Sequence, residues 1–280
     1  MTAATATAPI RTRMSLSHTI KDTLVITKRN LRRNVRVPQV LLFATVQPVM
    51  FLLLFNYVFG GAIGMALPPA AGGSYINWLV PGLLIQVAAF GAGQTALGLT
   101  EDLSAGVIDR FRSLPMARSA VLAGRTISDL VRNWLVISLM LSVGFLIGFR
   151  VQTNFLGMSL GLGLALLFAF SLSWVMAVLG LLVKNPEAAQ SAVFLPVFPL
   201  VFASSVFIPT QTLPTWLQGF ANNQPITVLT NAIRGLVLGD GVLPAGQTVA
   251  GEVLTSLLWI AGILVVFAPL AVRVYRKTVA

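Results

Sequence analysis

Six stretches of this sequence carry no Asp, Glu, Lys or Arg and are long enough to approach or cross a bilayer: residues 40–59, 76–99, 133–149, 155–183, 188–208 and 253–272. At about 1.5 Å per residue, runs of this length match a hydrocarbon core ~30 Å thick. Hydrocarbon offers the backbone no hydrogen-bond partners, so a continuous apolar run must be a helix. Barrel strands would instead alternate polar and apolar residues over about ten positions. The third run becomes 130–149 by borrowing Leu130 and Val131, with Arg132 reaching toward the headgroups. The fourth exceeds a straight crossing and should tilt or protrude. Prolines at 48, 81, 196, 199 and 269 fall inside runs, where packed neighbours in a bundle tolerate them. The expected fold is therefore an all-α integral membrane protein with six transmembrane helices.

Composition agrees. Only 10% of the 280 residues are charged and 56% are hydrophobic, far from the balance of a soluble domain. With no cysteine and one histidine, His18, the chain has no disulfide framework, thiol nucleophile or multi-His metal site. The net charge of +11 reads as a topology signal rather than a nucleic-acid surface. Six crossings place both termini on one side. That side receives eight basic residues before residue 40, five ahead of the third run, Lys184, and three in the tail; the other side receives Arg150 and Arg234. The asymmetry assigns both termini to the cytoplasm of a multi-pass membrane protein. About 39 residues precede the first run, so a cleavable signal peptide is not expected.

Residues 1–14 read as a disordered tail, and 15–280 as a single transmembrane domain. Within it, 15–37 is a basic amphipathic helix. Ile20, Leu24 and Leu31 share a stripe with Thr27 between them, while Lys21, Lys28, Arg29, Arg32, Arg33 and Arg36 cover much of the remainder. Such a helix lies on the anionic inner leaflet. The outer loop 60–75 reads as a flexible connector. Between the fifth and sixth runs, Leu213, Trp216, Leu217 and Phe220 share one helical face, with Pro214 suited to the first turn. After "NNQP" a second short helix follows, with Ile226, Leu229, Ile233 and Leu236 on one side and Thr227, Thr230, Asn231 and Arg234 on the other; Gly239 ends it. Two helices too short to cross read as an outer re-entrant hairpin, with an ordinary interfacial loop as the alternative.

The stretch "EDLSAGVIDRFRSLP", residues 101–115, interrupts the apolar chain with charge. Leu103, Val107, Phe111 and Leu114 make an apolar ridge on a short cytoplasmic helix between spans two and three. Glu101 and Asp102 stand near its start and Arg110 and Arg112 near its end, as the helix dipole favours, with Asp109 between them and Pro115 closing it. A ridge with charged flanks suits docking into a groove on a soluble partner.

No G-x-x-x-x-G-K-[ST] phosphate loop is present, so the chain holds no nucleotide site and no catalytic residues of its own. No acidic residue falls inside an expected span, which argues against a proton-coupled carrier. The spans do hold amides and hydroxyls: Gln47, Asn56, Gln86, Gln94, Ser171, Ser173, Gln190, Ser204 and Ser205. Gln86, Gln94, Ser204 and Ser205 are candidates for a substrate path. "GFLIG" (144–148) and "GMSLG" (157–161) mark close helix packing.

Three blocks, "TLVITKRNLRRNVRVPQVLL" (23–42), "EDLSAGVIDRFRSLPMARSAVLAGRTISDLVRN" (101–133) and "FPLVFASSVFIPTQTLPTWLQGFANNQPITVLTNAIRGLVLG" (198–239), resemble ABC-2 type permeases, in particular the daunorubicin-resistance (DrrB-like) branch. The resemblance implies the permease half of a bacterial ABC exporter of drugs, antibiotics or lipids. Two copies of a separate ATPase would bind ATP and magnesium, and a second permease copy or a related permease would pair with this one. It also implies that residues 101–114 couple to the ATPase and that Lys28, Arg29, Arg32 and Arg33 lie on a helix flanking it. The 214–239 hairpin, with Pro214, Trp216, Asn223, Pro225 and Arg234, would form the outer gate. Export of a lipid-linked or glycan substrate is the alternative within the family. Outside it, the rivals are a carrier or channel working without ATP and a membrane scaffold.

Overall fold

The computed structural model describes residues 16–36, 38–68, 74–107, 118–183 and 185–278. Among these the chain is helical, without a strand. In order it comprises α1 (Leu16–Arg36), α2 (Pro38–Leu54), a π turn (Phe55–Phe59), α3 (Gly60–Gly64), α4 (Tyr75–Ser104), α5 (Arg118–Leu146), α6 (Phe155–Leu182), α7 (Pro186–Phe202), α8 (Thr215–Asn223), α9 (Pro225–Leu238) and α10 (Val249–Thr278). The expected tail 1–14 lies outside the described residues.

Among the described residues, five helices are long and apolar enough to cross a membrane: Leu42–Gly64, Tyr75–Ser104, Ala120–Leu146, Phe155–Leu182 and Val249–Thr278. The first continues through the π turn and α3, into what the sequence suggested was a loop from residue 60. The run expected over 188–208 is shorter. α7 spans 17 residues and stops at Phe202. Pro196 and Pro199 remove two backbone donors from its last turns, and Ala203 (φ −91°, ψ 42°) turns the chain out of the helix. Residues 203–209 form irregular backbone.

α4 is the central helix. Every residue from 75 to 89 is buried, and it packs against α5, α6, α7 and α9. Between apolar helices in lipid, close van der Waals contact supplies much of the attraction, and small residues permit it. Gly157 and Gly161 of "GMSLG" meet Leu236 and Ile233 of α9 as expected. In "GFLIG", Gly144 packs beside Val80, but Gly148 sits in a turn at φ 115°. α2 and α10 lie at the periphery, exposing Leu42, Phe43, Leu53, Leu254, Leu258 and Val265.

α1 runs along the first half of α5. Gly124 permits the approach: a Cβ there would stand 2.7 Å from that of Ile26. The Thr27 hydroxyl donates to the Gly124 carbonyl at 3.3 Å, and Ile26, Thr27 and Asn30 are buried. Ile20 and Leu24 of the apolar stripe stay 60% exposed beside this contact.

Candidate functional site

Polar side chains cluster at three levels, all tied to α4. At the C-terminal end of α4, Glu101, Asp102 and Leu103 form its last turn, which runs to Ser104. The chain then turns at Gly106, φ 64°, a conformation glycine adopts without steric cost. Val107 follows, half-buried. The acidic pair thus closes a long helix instead of opening a short one, and Leu103 and Val107 lie on either side of a turn rather than on one stripe. The helix dipole opposes a carboxylate at this end. Asp102 is held by Arg29 of α1, whose Nη2 stands 3.1 Å from Oδ2. Arg29 also donates to Asn30 Oδ1, while Lys28 and Arg32 are exposed and Arg33 follows in the same helix. Asp109, Arg110, Phe111, Arg112 and Leu114 lie outside the described residues.

At the middle level, α4 and α5 share a charged seam. The Thr95 hydroxyl donates to Asp129 Oδ2 at 2.7 Å, and Arg125 Nε donates to the same oxygen at 3.2 Å. Arg125 Nη2 reaches the Gln94 carbonyl at 3.0 Å, and one heptad along, Arg132 Nη2 reaches the Gly91 carbonyl at 2.9 Å. Two sequence expectations are corrected here. Asp129 and Arg132 are 2% and 4% exposed, so an acid does stand within the third long helix, and Arg132 turns into the protein rather than toward headgroups. The physical cause is spacing: residues 125, 129 and 132 fall at i, i+4 and i+7, on one face of α5, and that face meets α4. This spacing was visible in the sequence. Gln86 and Gln94 come together here. With Gln47, Arg132 and Asn133 they line a cavity of about 100 Å³ between α2, α4 and α5, walled by Phe51, Phe90 and Val136.

Near the N-terminal end of α4, the irregular segment after α7 is closed by side chains. Gln224 Nε2 donates to the carbonyls of Leu200 and Ala203 at 2.7 and 2.9 Å. The Ser205 amide donates to the Thr227 hydroxyl at 3.1 Å, and the Tyr75 hydroxyl donates to the Phe207 carbonyl at 2.8 Å. Arg234 is fully buried. It donates to the carbonyls of Ser205 and Val206 at 2.6 and 3.0 Å, to the Ser205 hydroxyl at 3.1 Å and to the Trp78 carbonyl at 3.1 Å. Its guanidinium lies 3.6 Å from the Trp78 ring centroid, a cation–π contact. The polar side of α9, Thr227, Thr230, Asn231 and Arg234, is buried along with the apolar side, because unpaired carbonyls after α7 need donors. Pro225 and Gly239 bound α9 as expected, Gly239 at φ 97°. Ser204 and Ser205 belong to this latch, away from Gln86 and Gln94. Pro214, Trp216 and Asn223 stand exposed around α8, off the latch. Trp78, Ser205 and Asn231 also edge a recess of about 400 Å³ under the loops at 66–68, 209–212 and 242–245.

A family model described as ABC-2 type transporter matches residues 21–238, from within α1 to the end of α9, and so takes in all three levels. The chain belongs to the ABC-2 type transporter family. This ABC-2 permease is a multi-pass bacterial membrane protein. It is 33% identical over 240 residues to the daunorubicin resistance ABC transporter permease protein DrrB1 of Streptomyces coeruleorubidus, covering 86% of this chain and 81% of the relative. It is 25% identical over 259 residues to the probable doxorubicin resistance ABC transporter permease protein DrrC of Mycobacterium tuberculosis, covering 92% and 89%. It is 28% identical over 221 residues to that organism's doxorubicin resistance permease DrrB, covering 79% and 74%.

Proposed function

We propose that this ABC-2 permease is the membrane subunit of an ATP-driven exporter, moving hydrophobic or amphipathic molecules of the drug or antibiotic kind out of a bacterial cell. Family membership over residues 21–238 carries this reading. Two copies of a separate ATPase chain bind ATP and magnesium, and a second permease, identical or related, completes the pathway. α7 together with residues 203–208 serves as the fifth of six crossings. The distribution of lysine and arginine puts both termini in the cytoplasm.

α4 gives the coupling a mechanical route. Its 30 residues amount to a rod of about 45 Å. The inner end carries Asp102 in the bond to α1, and the outer end carries Trp78 in the latch with Arg234. A displacement of residues 101–114 by the ATPase therefore reaches α1, the α5 seam and the outer hairpin through one rigid element. ATP can drive such a change only by binding the partner's two states unequally.

Affinity purification from native membranes tests the assembly: a P-loop ATPase should accompany the chain. Phe111→Asp and Val107→Asp should abolish export while the protein remains in the membrane. Unchanged export at equal expression, or uphill transport by the purified chain alone, refutes the reading.

A further inference from the structure

The coupling route does not use the cavity between α2, α4 and α5. Three polar atoms of residues that line it have no hydrogen-bond partner: Arg132 Nε, Asn133 Nδ2 and Gln86 Oε1. The three residues are 4%, 1% and 3% exposed, and buried polar groups left unpaired are uncommon enough to need an explanation. The nearby carboxylate, Asp129, is engaged by Arg125 and Thr95. Arg132 has only the neutral Gly91 carbonyl, and among the described residues no carboxylate lies within ion-pair distance of it. A guanidinium is thus held inside the helix bundle with no direct ion pair among the described residues, and the field of Asp129, one turn back, is shared with Arg125. Gly91 lets Asn133 approach α4 at this point, since a Cβ there would overlap the Asn133 amide.

We infer that this cavity binds the anionic headgroup of an amphiphile, a carboxylate or a phosphate, with Arg132 as charged donor, Asn133 as neutral donor and Gln86 accepting from a headgroup hydroxyl. The inference rests on the export reading only for its membrane setting. Size supports a headgroup over a whole ligand. About 100 Å³ is the room of a few water molecules, whereas pockets for complete drug-sized ligands run about 300–1,000 Å³. The tail has a track outside. Gln47 of the lining is exposed, and around it on α2 Phe43, Val46 and Met50 are exposed apolar residues. Along α5 the site lies eight residues from Gly124, where α1 docks, or about 12 Å deeper.

The test uses the purified full chain in mild detergent, without ATPase or nucleotide, so that it stands apart from any failure of the export reading. Decanoate and dihexanoyl phosphatidic acid are titrated by calorimetry, with decanol and dihexanoyl phosphatidylcholine as controls. The two anionic probes should bind saturably and decanol should not. Arg132→Gln should weaken anion binding by about tenfold or more, as expected for losing a charge-assisted donor, and Arg132→Lys should restore part of it. Gln47→Trp, at an exposed position that leaves the core intact, should block both anions. Native mass spectrometry of protein from its own membranes separates the sources: a phospholipid retained by the wild type and lost in Arg132→Gln identifies bilayer lipid, and anion binding without retained lipid identifies cargo. Equal binding of decanol and decanoate, or anion binding unaffected by both Arg132→Gln and Gln47→Trp, overturns the inference.

Discussion

Replacing Arg234 by methionine removes four hydrogen bonds and a ring contact while keeping a long unbranched side chain. Hydrogen bonds between membrane helices average about 0.6 kcal/mol and reach about 1.7, so four contribute roughly 2–4 kcal/mol. A desolvated cation–π contact contributes about 2 kcal/mol. Against this, methionine spares the cost of burying a guanidinium, several kcal/mol in a dry site, yet it leaves the carbonyls of Trp78, Ser205 and Val206 short of a donor. The expected net loss is about 2–4 kcal/mol. Arg234→Lys keeps the charge, but one ammonium cannot reach acceptors that lie on α4 and on the segment after α7 together, so it should recover less than half of the loss. Reversible unfolding of the purified protein in mixed micelles reads the free energy, and limited proteolysis across residues 203–212 reads local opening. If methionine unfolds at the wild-type denaturant concentration, or lysine restores stability fully, the guanidinium geometry is not what closes the outer segment.

Gly82 lies against the same segment, and a Cβ there would stand 2.4 Å from the Val206 carbonyl oxygen; Gly82→Ala should cost about 1–3 kcal/mol as overpacking in the same unfolding assay. Asp129→Asn strips the charge facing Arg125 and should destabilise by about 3 kcal/mol. Adding Arg125→Gln should cost less than the sum of the single variants, a coupling that a double-mutant cycle measures. Trp216 is 79% exposed, so Trp216→Ala should change stability by less than about 0.5 kcal/mol, and a larger loss would show that α8 packs on something within the chain.

The apolar runs placed the middle of each long helix but, α6 apart, not its ends, because length and lack of charge are sufficient evidence for a helix in lipid. α6 was expected over 155–183 and occupies Phe155–Leu182. The two short helices before the last span were legible from their spacing, proline and glycine. What the runs hid is charge that helices carry inward. A span drawn by excluding ionisable residues stops before Asp129 and Arg132, yet α5 continues through both and buries them. Glu101 and Asp102 were likewise set apart from the run ending at residue 99, although α4 includes them. The break after Phe202 was signalled only by Pro196 and Pro199, which a bundle can also tolerate inside a span, and its repair lies in residues more than twenty positions later. Polar spacing on α9 showed an amphipathic helix, but not that its polar side faced a set of open carbonyls.

The order of synthesis gives that repair a consequence. The carbonyls exposed at residues 203–206 precede their donors, Gln224 and Arg234, on the growing chain. Until the donors emerge, this piece of backbone can satisfy itself only with water, so it cannot settle into the lipid when its own helix is inserted. It is seated later, when the hairpin folds back on it, and a released chain truncated before residue 224 would be left with this stretch wet and open to proteases.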